Sequence, residues 1–269
     1  MALGTEYKNW QGFEDVKEGI SDIQLPLLLA KAEIKRRYRR STLGPFWITI
    51  STAVTITTIG FIFGKIFKSP LSEFLPFIAA GLILWNFISS TISDSCAVFV
   101  QSEASIKQLP LPLFTYVEQL VIRNFYIFLH NIVIFPVVCF VTGRALGLNC
   151  FLSIPGIIIV LLNLLWVSLA LGIVCTRYRD LTQIVQSILQ ILFYVTPIIW
   201  MPNQVSARVA SIFIELNPVY HILSIVRAPL MNNQPSMLNW IVSILVAVIG
   251  WIVTIMLFNH YKKRIAYWL

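Results

Sequence analysis

Residues 35–47 read KRRYRRSTLGPFW, with five Lys or Arg among the first six positions, and the apolar run that follows, 46–67, holds Lys65 as its only charge. An α-helix rises 1.5 Å per residue, so roughly 20 apolar residues cross the ~30 Å hydrocarbon core of a bilayer. The run therefore reads as a membrane span. The cation cluster beside it predicts that this side stays cytoplasmic. A residue before proline is pushed out of the helical region, and proline suits the first turn of a helix. Gly44-Pro45 is accordingly an expected elbow between an interfacial segment and the span.

Composition agrees. Hydrophobic residues make up 57% of the 269 and charged residues 12%, about half the charged share of a soluble domain. The net charge of +8 would suggest nucleic acid in a soluble chain. Here the cations gather at the ends of apolar runs, as topology signals and head-group contacts, so membrane lipids are the expected partner and nucleic acid is not. Cys96, Cys139, Cys150 and Cys175 are far apart, and neither a disulfide framework nor a zinc site follows from them. The N-terminus lacks the charged-then-apolar pattern of a cleaved signal peptide, so the first span is expected to stay in the mature chain.

Upstream of the elbow, Ile20, Ile23, Leu27, Ala30, Ile34 and Tyr38 recur at spacings of three and four, one stripe of a helix. Pro26 is best tolerated near a helix start, so the spacing predicts a regular helix over about 26–40. It would lie in the membrane interface, with Lys31, Lys35, Arg36, Arg39 and Arg40 reaching head groups or a partner; the plainer alternative is an orientation signal. Further spans are expected at 74–99, 116–142, 151–175, 182–201 and 238–258, giving six in all. The chain divides into a cytoplasmic tail with interface helix, 1–44, and a transmembrane domain, 45–269. Alternation puts Lys107, Arg177, Arg179 and Lys262 to Arg264 inside, and both termini come out cytoplasmic. The segment 202–237 holds two apolar clusters too short to span, broken by Asn217-Pro218 and Pro229. Short helices dipping into the outer leaflet are expected there, since unsupported loops do not survive at membrane depth; an ordinary external loop, with Asn217, His221 and Arg227 in water, is the alternative.

Chemistry is sparse. The stretch from Gly60 to Ile66 fails the spacing and the Lys-Ser/Thr ending of a phosphate-binding loop, and His130, His221 and His260 are scattered, with no metal-site spacing. Within the spans, Asn86, Asp94, Glu118, Arg123, Asn124, His130, Asn131 and Asn163 are expensive in hydrocarbon unless they face a cavity or partner. They predict a polar interior, with Glu118 and Arg123 as a loose local pair. A membrane enzyme would gather carboxylates or histidines at one depth, and no such gathering is visible.

The stretches RRYRRSTLGPFW at 36–47, FGKIF at 63–67, TRYRDLTQIVQSILQILFYVTPIIW at 176–200 and NPVYHILSIVR at 217–227, with a terminal YKKRIAYWL, resemble the membrane subunit of ABC-2 type polysaccharide exporters over nearly the whole chain. Within that group the chain looks most like permeases that export lipid-linked O-antigen polysaccharide across the bacterial inner membrane. Capsular polysaccharide or teichoic acid is the runner-up cargo, and a multi-span enzyme acting on lipid-linked sugars is the remaining alternative. The resemblance implies an all-α fold of six spans, a homodimer, two ATP-binding cassette subunits that bind the ATP and Mg, and no cofactor in this chain. It implies a coupling helix around Glu103, Ser105, Ile106 and Lys107. It implies cations for the lipid phosphates at the cytoplasmic gate, Arg36, Arg37, Arg39, Arg40, Arg177 and Arg179. It also implies outer gate helices carrying Asn217, Pro218, Tyr220 and Arg227. Aromatic rings offer a sugar a flat apolar face, and the first span is rich in hydroxyls. The first and fifth spans are therefore expected to line the channel, with Phe61, Phe193 and Tyr194 among its rings.

Overall fold

The computed structural model describes residues 11–37, 39, 44, 46–145, 147–202 and 214–269. All regular elements among them are helical. In order they are α1 (Gln11–Ser21), α2 (Gln24–Arg37), α3 (Phe46–Ile66), α4 (Leu71–Ser95), α5 (Val98–Gln101), α6 (Glu103–Gln108), α7 (Leu113–Ile132) and α8 (Ile134–Val141). After a 3-10 turn at Leu148–Leu152 come α9 (Ser153–Arg177), α10 (Leu181–Val195), α11 (Pro218–Leu230) and α12 (Met237–Trp268). Among the described residues five helical stretches are long and apolar enough to cross a membrane: α3, α4, α7 with α8, the 3-10 turn with α9, and α12. The sixth expected span is the shorter α10.

The axis of the bundle is α4, whose residues from Phe74 to Ile88 are nearly all buried; α3, α7, α9 and α11 pack around it, and α12 runs along α9. Lipid tails are as apolar as leucine, so such helices are held by close van der Waals contact and interhelical hydrogen bonds. Gly156 shows the closeness required. A Cβ there would sit 2.6 Å from the backbone oxygen of Ile225, so α11 lies on α9 only because that position has no side chain. At the expected elbow, Gly44 has φ 56°, a left-handed backbone that glycine adopts at no steric cost; Pro45 lies outside the described residues.

Several boundaries differ from the sequence reading. The helix expected over about 26–40 is α2, beginning at Gln24 and described to Arg37, and the stretch before it is a separate helix, α1, set off by a turn at Asp22 and Ile23. Of the expected apolar stripe, Ala30 is fully buried with Leu27 and Ile34 half-buried on the α7 side, while Ile20 and Ile23 are exposed. The third span breaks at Val133, three residues before Pro136, which cannot donate to the Ile132 carbonyl and crowds it. Helix α10 stops at Val195 rather than 201, two residues before Pro197, whose ring pushes Thr196 into the extended region. Its 15 residues rise about 22 Å. Helix α12 runs 32 residues, to Trp268 rather than 258, about 48 Å, so its last turns extend past a bilayer core. Arg40 and residues 203–213 of the broken segment lie outside the described residues.

Candidate functional site

A groove of about 840 Å³ opens between α3, α4, α7 and α10. Thr52 and Thr55 come from α3; Asn86, Ser89, Ser90, Ser93 and Asp94 from α4; Asn124 and Asn131 from α7; and Gln183, Gln186, Ser187 and Gln190 from α10. Phe193 and Trp85, with ring centroids 5.8 Å apart, add the aromatic surface. Amides at membrane depth are costly unless they face space that admits water or a polar ligand, and Asn86 and Gln190 make no side-chain hydrogen bond among the described residues. Gln186 instead donates to Ser93 Oγ, tying α10 to α4. The hydroxyls of Thr55 and Ser90 bond back to their own helices, to Ser51 O at 2.9 Å and Phe87 O at 3.3 Å, which satisfies the donor and leaves acceptor capacity toward the groove. The polar part of the lining is mostly uncharged amides and hydroxyls, with Arg37 and Asp94 its two charged residues, and apolar side chains such as Ile48, Ile59, Leu82 and Phe128 make up much of the rest.

At one end the groove meets a charged cluster. Arg123 Nη2 donates to Asp94 Oδ2 at 2.6 Å, and Asn124 Nδ2 donates to the same oxygen at 3.1 Å. Arg123 Nη1 donates to Glu33 Oε1 of α2, and Gln119 Nε2 to Glu33 Oε2 at 2.9 Å. The guanidinium is buried, so it needs both carboxylates, and together they fasten α2 to α4 and α7. On the far side lies a second cavity of about 620 Å³, lined by Glu33, Arg36, Arg37, Ser102, Ser105 and Arg123 among others; Arg37 and Asp94 line both spaces. The expected Glu118–Arg123 pair does not form. Arg123 pairs with Glu33 and Asp94, whereas Glu118 faces α1, where a Cβ on Gly19 would lie 3.2 Å from its Oε2. Residues five apart stand about 140° around a helix, which explains the separation.

The ABC-2 type transporter family model matches residues 25–231, which include every helix of the groove. The chain belongs to the ABC-2 type transporter membrane family. It is 26% identical over 246 residues to the O-antigen export system permease protein RfbA of Klebsiella pneumoniae, covering 90% of this chain and 93% of the relative. A second Klebsiella pneumoniae protein of that name is 24% identical over the same coverage. One from Myxococcus xanthus is 22% identical over 74% of this chain and 77% of its own length. This ABC-2 permease is thus the membrane-spanning part of a transporter and carries no ATPase of its own.

The remaining sequence-predicted residues of the permease fall in four places. Glu103, Ser105, Ile106 and Lys107 form the short α6, which buries no residue and is braced by a Lys107–Glu103 pair at 2.6 Å. Arg36 and Arg37 line the second cavity and Arg39 is exposed, while Arg177 and Arg179 stand on the exposed α9–α10 turn, outside both linings. Arg177 lies over Tyr178, Tyr261 and Trp268, 4.9 to 5.8 Å from the ring centroids. Of the three rings, Phe193 lines the groove; Phe61 and Tyr194 are more than half exposed, on faces of α3 and α10 that a single copy leaves open. Asn217 caps α11, accepting from Val219 N at 3.0 Å and Tyr220 N at 3.3 Å, and donates to Thr196 Oγ1 at 2.8 Å. Pro218 is its first residue, and Tyr220 stacks edge-on against His221. The alternative of a loop in water is overturned for the described part, because Asn217, His221 and Arg227 are all buried. The sequence reading missed the glutamine stripe of α10. Its signal was present in Gln183, Gln186 and Gln190, spaced i, i+3 and i+7 within an apolar run, a polar face by the same rule that finds apolar ones.

Proposed function

We propose that this permease, paired with a second copy and with two ATP-binding cassette subunits that hold the ATP and Mg, moves a lipid-linked O-antigen glycan across the bacterial inner membrane. Both termini then lie on the cytoplasmic side. The carrying observation is the groove at membrane depth, where amides and hydroxyls are set among apolar and aromatic side chains and the charged residues are only Arg37 and Asp94. A glycan crossing ~30 Å of hydrocarbon needs weak, repeated hydrogen bonds and flat ring contacts, because a strongly charged lining would hold individual sugars. The similarity to O-antigen export system permeases supports the cargo class. The self-braced α6 supports a docking role for the ATPase, since only Ile106 rests against the core of its own chain and the exposed side with Ser105 and Lys107 is free to meet a partner's cleft. Arg36 and Arg37, in the cavity beyond Asp94, offer bidentate donors to the carrier's phosphates.

In a strain lacking the chromosomal gene, Asn86→Leu with Gln190→Leu should lower surface glycan at least tenfold and accumulate lipid-linked glycan inside, while the ATPase still copurifies. Wild-type surface glycan from that double variant would place the path elsewhere. Accumulation of a lipid-linked intermediate of another polymer would change the cargo and leave the path intact.

A further inference from the structure

Asn259 and Lys262 of α12 hold α1, Asn259 Oδ1 accepting from Gly12 N at 2.8 Å and Lys262 pairing with Asp15 at 2.9 Å; roughly 30 Å or more along the helix from them, at the start of α12, lies a third cavity of about 380 Å³. Its volume falls in the ~300–1,000 Å³ range of small-ligand sites. Phe77, Tyr220, His221, Ser224 and Arg227 line it, with the loop before α12. Arg227 is 5% exposed and is in no ion pair among the described residues. Its Nη1 donates to the Pro197 carbonyl, and its guanidinium lies 4.4 Å from the centre of Phe77 and 5.9 Å from that of Tyr220. A buried cation is costly unless an anion or several hydrogen bonds offset its lost hydration, and Arg227 has one hydrogen bond and two ring contacts with no anion among the described residues. Among the described residues, one of its five N–H donors has a hydrogen-bond partner.

A second observation points into the same space. Ser224, one turn before Arg227, is 4% exposed, and its Oγ has no hydrogen-bond partner among the described residues. Both ring nitrogens of His221 are already engaged, by Asn239 Oδ1 at 2.7 Å and Glu215 O at 3.1 Å. The unspent donors are therefore the Arg227 fork and the Ser224 hydroxyl. A carboxylate, Glu215, stands at the rim, but it is exposed and pairs with neither.

We propose that this cavity binds the phosphoryl oxyanion of a lipid, held by two donors of Arg227 and the hydroxyl of Ser224. Planar, bidentate recognition of a tetrahedral anion is what a guanidinium does best. The apolar walls at Phe77 and Leu238 suit the glycerol or first isoprenoid carbons behind the phosphate. The site lies a bilayer's thickness from the α1 end, at head-group depth on the other face. It depends on no assumption about the glycan, and its readout is lipid binding rather than export, so either reading can fail alone.

The full-length permease in detergent is titrated with phosphatidylglycerol, a polyprenyl diphosphate, diacylglycerol with the same acyl chains, and inorganic phosphate as competitor. Both phosphorylated lipids should bind at least tenfold more tightly than diacylglycerol, and phosphate should displace them. Arg227→Met should abolish the preference, Arg227→Lys should keep part of it, and Ser224→Ala, a change of one atom that leaves the fold intact, should weaken it about three- to tenfold. Stronger binding of the diphosphate than of phosphatidylglycerol identifies a carrier lipid as the source; equal binding identifies any phospholipid. Diacylglycerol binding as tightly, or unchanged preference in both Arg227→Met and Ser224→Ala, overturns the proposal.

Discussion

Asp15 belongs to an acidic group, Glu14, Asp15 and Glu18, for which local sequence offers no role. Its carboxylate caps a helix 98 residues away: Oδ2 accepts from Leu113 N at 3.1 Å and Oδ1 from Phe114 N at 2.9 Å, and Lys262 Nζ lies 2.9 Å away. The first amides of α7 have no intrahelical partner, and Pro112 has no side chain that could cap them. A buried carboxylate also complements the helix dipole. Asp15→Ala should therefore cost about 1–3 kcal/mol, seen as a lower Tm in detergent, while Glu14→Ala and Glu18→Ala, both exposed, should stay within ~0.5 kcal/mol. Equal Tm values for all three would deny the cap. Arg123 belongs to the same scale. Arg123→Met would leave Glu33 and Asp94 without their cation. The loss should be about 2–3 kcal/mol, below the ~3–5 of a fully buried pair, because Asp94 is 38% exposed. The sequence shows that Arg123 must have a partner and not which one, because both partners come from other helices.

Helix existence was legible because apolar runs of span length have few alternatives, and helix ends were not, because proline placement and tertiary contact set them. Pro136 and Pro197 are visible in the sequence. Whether a proline kinks a helix or ends it depends on what satisfies the freed carbonyls, which for the end of α10 means Thr196 held by Asn217, and the Pro197 carbonyl held by Arg227. Both ends of α11 are thus tied to the residues that follow α10. The seat of α11 depends on Gly156, whose added Cβ would meet backbone rather than a movable side-chain tip. Gly156→Ala should lift α11 from α9. Hydrogen exchange at amides 219–230 should accelerate at least tenfold, with little change in α4. Unchanged exchange would mean that α9 absorbs the shift.

For the whole molecule, the question is which surfaces face the transported chain and which face lipid or a second copy. Around α10 the structure separates them. Gln183, Gln186, Ser187 and Gln190 line the groove, while Ile184, Ile188 and Ile191 are exposed and apolar on a face turned roughly 90–150° from it, as a 100° advance per residue requires. A water-filled path and an apolar contact give opposite labelling. Cysteine replacements at 183, 186, 187 and 190 should react with a hydrophilic, membrane-impermeant thiol reagent, and those at 184, 188 and 191 should not, giving a period of three to four. The native Cys96, Cys139 and Cys175 are buried and should contribute little background, with Cys150→Ser removing the remaining half-buried thiol. Slower reaction at 186 and 190 when lipid-linked glycan is present, with 183 at the turn less affected, would place the glycan in the groove rather than beside it. Uniform reactivity around α10 would mean that water surrounds the helix, and the amide stripe would then be a solvated face and not the wall of a path.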